Sequence, residues 1–309
     1  MSRKIKLTID SQIEHLMAEG VQFNIMSIEE ASDFLMNKTY YFKLKSYIKN
    51  YRRSNNGKFS NLEFAYLVEL SVLDAHFRSK VLDLCLSIEH QLKTMIMRSI
   101  TENEQEDGFS IIQELFETDP QIKDDILRKT NSASFDLRSH YVDEIPVWVF
   151  LELCLYSSLI KLFSLYYEKV DSKVCKNLIP LIYSSKYLRN AAAHNSCLLN
   201  SLRIEYSYQG KPFRSSPKVV STVRKLKVVS PKSIKRILHN RVIHDFIASL
   251  ILFKEICKSS KMYSNVMADF EELFKIRFLE HSDYFSGDPL LTSKYAFVVK
   301  VFDSLKMMD

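Results

Sequence analysis

Apolar residues recur at intervals of three and four along most of this chain, which is the spacing of helices with one buried face. The longest such stretch, from 62 to about 100, predicts one or two long amphipathic helices. Capping-box patterns at Ser27–Glu30 and Ser60–Glu63 indicate two helix starts. Further helices are predicted at 109–116, 121–129, 147–169, 172–183, 232–258 and 264–279. The pattern predicts an all-α protein of about ten helices.

One segment departs from this period. Within residues 201–230, the sequences LRIEYSY and VRKLKVVS alternate roughly with a period of two, with KPFRSSPK between them, which predicts two short strands in an irregular insert. Ser230 and Pro231 then open the next predicted helix.

Composition limits the class of protein. The chain is 46% hydrophobic, which is enough to fill a core, and its 5 glycines in 309 residues disfavour Gly-rich phosphate loops and β-sandwiches. The five cysteines are widely spaced without a C-x-x-C, which is typical of a reduced compartment. The apolar run from Ile145 is interrupted by Glu152 and Lys161, so a buried helix is favoured over a membrane helix. We therefore expect a cytoplasmic protein without a signal peptide or a membrane partner.

Positive charge is concentrated in one region. The chain carries a net charge of +6, whereas residues 201–245 contain eleven Lys and Arg against Glu205 and Asp245, a local +9. Tyr206, Tyr208 and Phe213 are interleaved with these cations. Such a pattern indicates either a nucleic-acid surface, where cations neutralise phosphates and aromatic rings stack on bases, or a solvated loop face. The candidate RNA-binding residues are Arg203, Lys211, Arg214, Lys218, Arg224, Lys225 and Lys227.

The sharpest candidate site is the sequence YLRNAAAHNSCLLN at 187–200, which contains Arg189, Asn190, His194 and Asn195. Histidine moves protons near neutral pH, arginine binds phosphate, and asparagine can orient either of them. RNA supplies its own 2′-hydroxyl nucleophile, so this set of residues could cleave RNA without a metal. Arg189 and His194 lie five apart, about 140° around an ideal helix, so a long Arg side chain, an irregular helix or a second chain is needed to bring them together. The alternative is a satisfied core histidine beside a surface arginine.

This stretch resembles the R-x4-6-H signature of HEPN domains, and in particular the abortive-infection (Abi) family of AbiD/AbiF type. Four other segments carry the same resemblance in the same order: LTIDSQIEHLMAEGV, TYYFKLKSYIKNYR, FAYLVELSVLDAHFRSKVLDLCLSIEHQLKTMI and IPVWVFLELCLYSSLIKLF. The chain departs from the family pattern at Thr39, where Gly is usual, and at Lys93 and Cys197, where Arg is usual.

The resemblance implies a HEPN-like helical bundle over 61–280 with a basic insert at 201–231. An N-terminal helical region at 1–60 would pack on this core, and 281–309 would form a C-terminal extension. It also implies a metal-independent endoribonuclease in phage defence, with the single motif of each chain paired across a homodimer and a small RNA as a regulatory partner. Catalysis would fall to Arg189, Asn190, His194 and Asn195.

Several alternatives remain open. Glu89, with Lys93 one turn later, forms either a helix ion pair or a support that orients the Arg–His site. The aromatic residues Tyr40, Tyr41, Phe42 and Tyr47 serve either packing or RNA stacking.

The class of function also has alternatives. The chain is either a nuclease, a non-catalytic module that holds a small RNA, or a nucleotide-binding regulator. No metal-binding motif is present, and His239 and His244 beside Asp245 do not form one, so we predict no metal and no cofactor.

Overall fold

The computed structural model describes residues 6–128, 132–141, 143–203, 207–208 and 211–307. It is an all-α structure, as the pattern predicts. The N-terminal part contains α1 (Ile9–Ala18), β1 (Val21–Gln22), α2 (Ile28–Asn37), α3 (Tyr41–Lys45), a 3-10 helix (Ser46–Asn50), β2 (Leu62–Glu63) and α4 (Phe64–Thr101). The middle part contains α5 (Ser110–Thr118), α6 (Pro120–Leu127), α7 (Ser132–His140), α8 (Val147–Leu153), α9 (Tyr156–Val170) and α10 (Ser172–Ala193).

The C-terminal part begins with a small antiparallel hairpin in which Ser207 pairs with Pro212. Its elements are β3 (Ser207–Tyr208), β4 (Lys211–Pro212), α11 (Pro217–Leu226), α12 (Pro231–Leu238), α13 (Arg241–Ile256), α14 (Ser260–Lys275), a 3-10 helix (Arg277–Leu279), α15 (Asp283–Ser286) and α16 (Pro289–Met307). Strand β1 pairs in parallel with β2, with Val21 opposite Leu62.

Helix α13 lies at the centre of the molecule, covered by three other long helices. Helix α13 is buried continuously from Ile243 to Phe253 and packs against α4, α10 and α16, because a helix with apolar residues on every side has to be covered on every side. Helix α4 runs unbroken for 38 residues, which confirms a long helix over 62–100 and resolves it as one. Buried residues from α1 to α16 belong to one hydrophobic cluster. The boundaries at 60 and 280 stay a prediction.

The two predicted capping boxes have different outcomes. Ser27 accepts the Glu30 N–H while the Glu30 carboxylate accepts the Ser27 N–H, which confirms the first box. The second is wrong, because the Glu63 carboxylate accepts instead from the backbone and side-chain nitrogens of Asn24. This contact fastens β1 beside the start of α4.

Two predicted helices are broken. The stretch 147–169 divides into α8 and α9, because Cys154 and Leu155 take an extended backbone between them. The stretch 232–258 divides into α12 and α13, because the Asn240 side chain accepts the Ile243 N–H and starts a new helix. Glu152 and Trp148 are exposed on α8, since that short helix covers the core with its other face.

The strand prediction for 201–230 is only partly correct. The sequence VRKLKVVS does not form a strand, because residues 217–226 form α11. Pro217 occupies the first turn of that helix, where proline is tolerated, and Val219 and Val223 are buried one turn apart. The short strands β3 and β4 lie earlier, and the side chains of their residues are outside the described part of the chain.

Among the described residues, we find no helix with both the length and the apolar character that crossing a membrane requires.

Candidate functional site at the end of helix α10

Helix α10 ends within the sequence motif. Asn195 takes a left-handed conformation with φ of 55°, its N–H donates to Ala192 O, and the Ser196 N–H donates to Ala191 O. This is a Schellman motif, and asparagine is one of the few residues that enters this conformation at low cost. The backbone of Asn195 therefore ends the helix and leaves His194 exposed as its C-cap.

The role of Asn195 in ending the helix can be tested. We expect Asn195→Gly to leave the free energy of unfolding within about 0.5 kcal/mol of wild type, because glycine adopts a left-handed conformation freely. Asn195→Ala should cost about 1 kcal/mol, because alanine pays for that conformation. Urea unfolding of both variants measures the difference. Equal losses in the two variants would contradict the backbone role.

Arg189 is half-buried and lies on the last turns of α10. Its Nη1 donates to the Asn190 Oδ1 over 3.3 Å, so Asn190 orients the guanidinium. The Arg189 Nε is buried and has no hydrogen-bond partner among the described residues. Since buried polar groups in proteins are nearly always bonded, this donor is unusual. Within the described chain, no hydrogen bond joins Arg189 to His194.

Glu89 and Lys93 lie on α4, which packs against α10. The Glu89 Oε1 lies 3.6 Å from the Lys93 Nζ, so the helix ion pair is present. The Glu89 Oε2 is buried and bonds no residue in the described part of the chain. The charges of Glu89 and Arg189 both act on the Cys85 thiol and the Tyr156 hydroxyl. Burial raises the pKa of Cys85 to about 12 and also raises the pKa of Tyr156, so both groups stay neutral. Glu89 and Arg189 therefore place opposite charges near the buried Cys85 and Tyr156. The Glu89 Oε2 and the Arg189 Nε both bond no described residue.

The chain beyond α10 is held by a buried carboxylate that sequence reasoning missed. Asp74 of α4 is fully buried and accepts the backbone N–H groups of Leu198 and Leu199 over 2.7 and 2.6 Å. It also accepts the Tyr47 hydroxyl over 2.9 Å and pairs with Arg78. A carboxylate within the apolar face of a long helix was the available signal, because such a group needs buried partners.

The aromatic-rich segment around α3 holds the same part of the chain. Lys43 Nζ donates to the Asn195 carbonyl over 3.0 Å. The Asn50 side chain donates to the Leu199 carbonyl over 2.6 Å and accepts the Leu202 N–H over 2.8 Å. Residues far apart in sequence thereby fix the turn that carries His194.

The four aromatic residues of this segment divide between the two expected roles. Tyr47 is fully buried and packs in the core, and Tyr41 is partly buried beside His15. Tyr40 and Phe42 are 63% and 82% exposed, next to the lysine that bonds Asn195. These two rings are open to contact a ligand, whereas Tyr47 is structural.

Two of the predicted RNA-binding cations are engaged in the fold. Arg203 pairs with Asp288 over 2.7 Å and donates its Nε to the Asn50 carbonyl over 2.7 Å. Lys218 pairs with Glu255 over 2.8 Å. These contacts give both residues a structural role. The side chain of Lys211 lies outside the described residues.

Seven further cations form an exposed set on α11 and α12, in the segment before α11 and in the turn between the two helices. Within the described part of the chain, no carboxylate pairs with any of them. We call these residues the basic surface: Arg214, Arg224, Lys225, Lys227, Lys232, Lys235 and Arg236. The buried sides of the two helices face the core through Val219, Val223, Ile234 and Ile237, which directs the cations outward.

A buried histidine connects α11 to the core. The Ser216 N–H donates to His244 Nε2 over 2.9 Å, and His244 Nδ1 lies 2.9 Å from the Asp245 carboxylate. This pattern fits a neutral ring that donates from Nδ1. Arg241, one turn earlier, stacks on the exposed ring of Tyr187, with 4.4 Å between the guanidinium carbon and the ring centroid. Through His244 and Arg241, helix α13 therefore connects the start of α11, where the basic surface begins, to the face of α10 that carries the Arg189–His194 motif.

These features define an all-helical protein with a polar site at the end of one central helix. The chain matches the Abi-like protein family over residues 34–200, and it belongs to that family. No curated protein and no solved structure matches it. The matched range contains the Arg189–His194 motif, Glu89 and the tethers at Lys43, Asn50 and Asp74, and it ends before the basic surface. Family membership indicates a role in abortive-infection defence.

Proposed function

We propose that this protein is a HEPN-type endoribonuclease of the AbiD/AbiF kind, which cleaves RNA without a metal during defence against phage. The observation that carries the proposal is the position of His194. Its imidazole is exposed at the end of α10, in a turn that Asp74 and Asn50 hold in place. Arg189 lies five residues earlier, and its buried Nε bonds no described residue. An exposed imidazole on a fixed backbone suits proton transfer near neutral pH.

In the proposed reaction, the 2′-oxygen of a nucleotide attacks the adjacent phosphorus and the bond to the 5′-oxygen breaks. One His194 accepts the proton of the 2′-hydroxyl, and a second one donates a proton to the departing 5′-oxygen. Arg189, oriented by Asn190, binds the phosphate and offsets its growing negative charge. The products carry a 2′,3′-cyclic phosphate and a 5′-hydroxyl.

A homodimer supplies the second histidine in this proposal. Tyr183 and Tyr187 are 39% and 49% exposed on α10, on the turns before the motif. Exposed aromatic residues are enriched in protein interfaces. A second copy seated on this face would bring two motifs to one cleft, and it would remove the need for Arg189 and His194 of one chain to reach the same phosphate. In this proposal Glu89 of α4 would orient Arg189, since the Glu89 Oε2 is an acceptor and the Arg189 Nε a donor, and both bond no described residue.

The experiment is incubation of purified wild-type protein with end-labelled RNA in excess EDTA. We expect cleavage that EDTA does not abolish, and mass spectrometry of the fragments should identify cyclic-phosphate and 5′-hydroxyl ends. Fragments with 3′-hydroxyl and 5′-phosphate ends would contradict attack by the 2′-oxygen. The absence of cleavage, together with uncut RNA that co-purifies with the protein, would favour the second candidate below.

The basic surface gives a separate prediction about RNA binding. We expect combined replacement of Arg224, Lys225 and Lys227 by glutamine to lower the slope of log K against log salt by about 2, because each phosphate contact on a single strand contributes about 0.7. Fluorescence anisotropy of a labelled RNA over a range of KCl concentrations measures this slope. Lys218→Gln is the control, since that lysine is paired with Glu255 and should change the slope little. An unchanged slope in the triple variant would show that this face is merely solvated.

The second candidate function is a non-catalytic module that holds a small RNA. The observation that favours it is the basic surface, because its cations could bind the phosphates of an RNA without the participation of His194. Sequencing of co-purified RNA tests it. One dominant uncut species would support this function over the nuclease.

A further inference from the structure

An apolar cavity of about 280 Å³ opens on the face formed by α14, α15 and α16. Its mouth lies at Leu279, Ser282 and Thr292, which are exposed. Its floor reaches Leu73, Phe77 and Phe246, which are each at most 5% exposed. The cavity is therefore deep, running from the surface into the centre of the core.

This volume is too large for a packing defect. Protein interiors are packed as densely as organic crystals, and voids larger than a water molecule are few. An apolar cavity of about 150 Å³ holds one benzene molecule. At 280 Å³, the cavity has room for roughly ten carbon atoms.

The lining selects the chemistry of the occupant. Aliphatic and aromatic side chains form nearly all of it, as in sites that bury most of a small ligand, and Ser282 and Thr292 lie at the open end. Two further polar groups of the lining are engaged by the fold, because Lys294 Nζ donates to the Leu202 carbonyl and the Tyr295 hydroxyl donates to the Phe274 carbonyl. We propose that this cavity binds a single aliphatic chain of roughly ten carbons, with the polar head of the molecule at the mouth.

The cavity also touches the segment that follows the candidate active site. Leu199 and Leu202 line it, and their backbone groups are the ones that Asp74 and Asn50 bind. A bound chain would contact the turn that fixes His194. The binding itself is independent of RNA cleavage, so the two proposals can fail separately.

The test is calorimetric titration of the full chain, without RNA, with straight-chain alkanoates of six to fourteen carbons and with decan-1-ol. We expect one binding site per chain, with affinity that rises about fourfold per carbon, because each buried methylene contributes about 0.8 kcal/mol. The rise should stop near ten carbons, when the cavity is full. Decan-1-ol should bind as well, because the cavity recognises the chain. Absence of saturable binding by wild type, or an affinity that keeps rising to fourteen carbons, would overturn the proposal.

Two neighbouring residues of α16 give a matched pair of variants. Val298 lines the cavity, whereas Val299 does not. Val298→Phe should fill the cavity and lower the affinity for decanoate at least tenfold, and Val299→Phe should leave it unchanged. Circular dichroism checks that both variants fold. If Val298→Phe does not fold, Thr292→Trp, which would block the mouth of the cavity, takes its place. Equal binding by the filled variant and wild type would place the ligand elsewhere and overturn the proposal.

Discussion

His194→Ala is expected to lower the rate of RNA cleavage by about 10³-fold, within the range of about 10²–10⁴ that general acid–base catalysis contributes. The variant should fold normally, because the imidazole is exposed and the contacts that form the end of α10 use only the backbone of this residue. Initial rates on a labelled RNA in EDTA give the loss, and the thermal unfolding midpoint checks the fold.

The matched control is His76→Ala. His76 is an exposed histidine on α4, so its replacement removes an imidazole without touching the candidate site. Cleavage should stay within about twofold of wild type, as for a surface substitution away from special features. If His194→Ala retains wild-type cleavage, His194 is not the catalytic base or acid, and the nuclease assignment loses the residue on which it rests.

Arg189→Ala would separate phosphate binding from proton transfer. It should slow cleavage as well, but it leaves the imidazole of His194 in place, so the shape of the pH–rate profile should persist. A pH–rate profile that changes shape in this variant would assign the pH dependence to a residue other than His194 or to a step other than chemistry.

Most of the helices could be predicted from local patterns in the sequence. The spacing of apolar residues in α4 is regular over 38 residues, and Ser27 with Glu30 forms the capping box that its sequence predicts. The same reasoning failed where tertiary contacts decide. Glu63 looks like a capping residue but serves Asn24, which lies 39 residues earlier in the chain, and no nearby residue indicates this. Asn240 is a recognisable helix-starting residue, so the break between α12 and α13 could have been read from the sequence.

The candidate site divides in the same way. The polar residues of the motif could be found from the sequence, because Arg189, Asn190 and His194 stand out in an apolar context. The partners of Asp74 and Asn50 could not be assigned from the sequence, since both side chains bond backbone groups more than a hundred residues away. The left-handed backbone of Asn195 was not predicted, although asparagine is one of the few residues that adopts this conformation at low cost at the end of a helix.

Asp74→Ala is expected to lower the free energy of unfolding by about 3–5 kcal/mol, which is the usual cost of breaking a buried ion pair from one side. Arg78 is only 9% exposed and would keep its charge without the carboxylate. The N–H groups of Leu198 and Leu199 would lose their acceptor at the same time. Denaturant unfolding measures the loss, and Asp83→Ala, an exposed carboxylate on the same helix, should change stability by less than about 0.5 kcal/mol.

The double variant Asp74→Ala with Arg78→Met separates the two causes. Replacing both charges removes the unpaired guanidinium, so the double variant should be more stable than Asp74→Ala alone. What remains is the loss of the acceptor for the Tyr47 hydroxyl and for the N–H groups of Leu198 and Leu199, and the loss at the two backbone groups loosens the turn after His194. That remaining loss should appear as faster hydrogen exchange at these two amides. If the double variant is no more stable than the single one, the cost lies in the backbone tether instead of the unpaired charge, and Asp74 acts mainly by fixing the turn on which His194 depends.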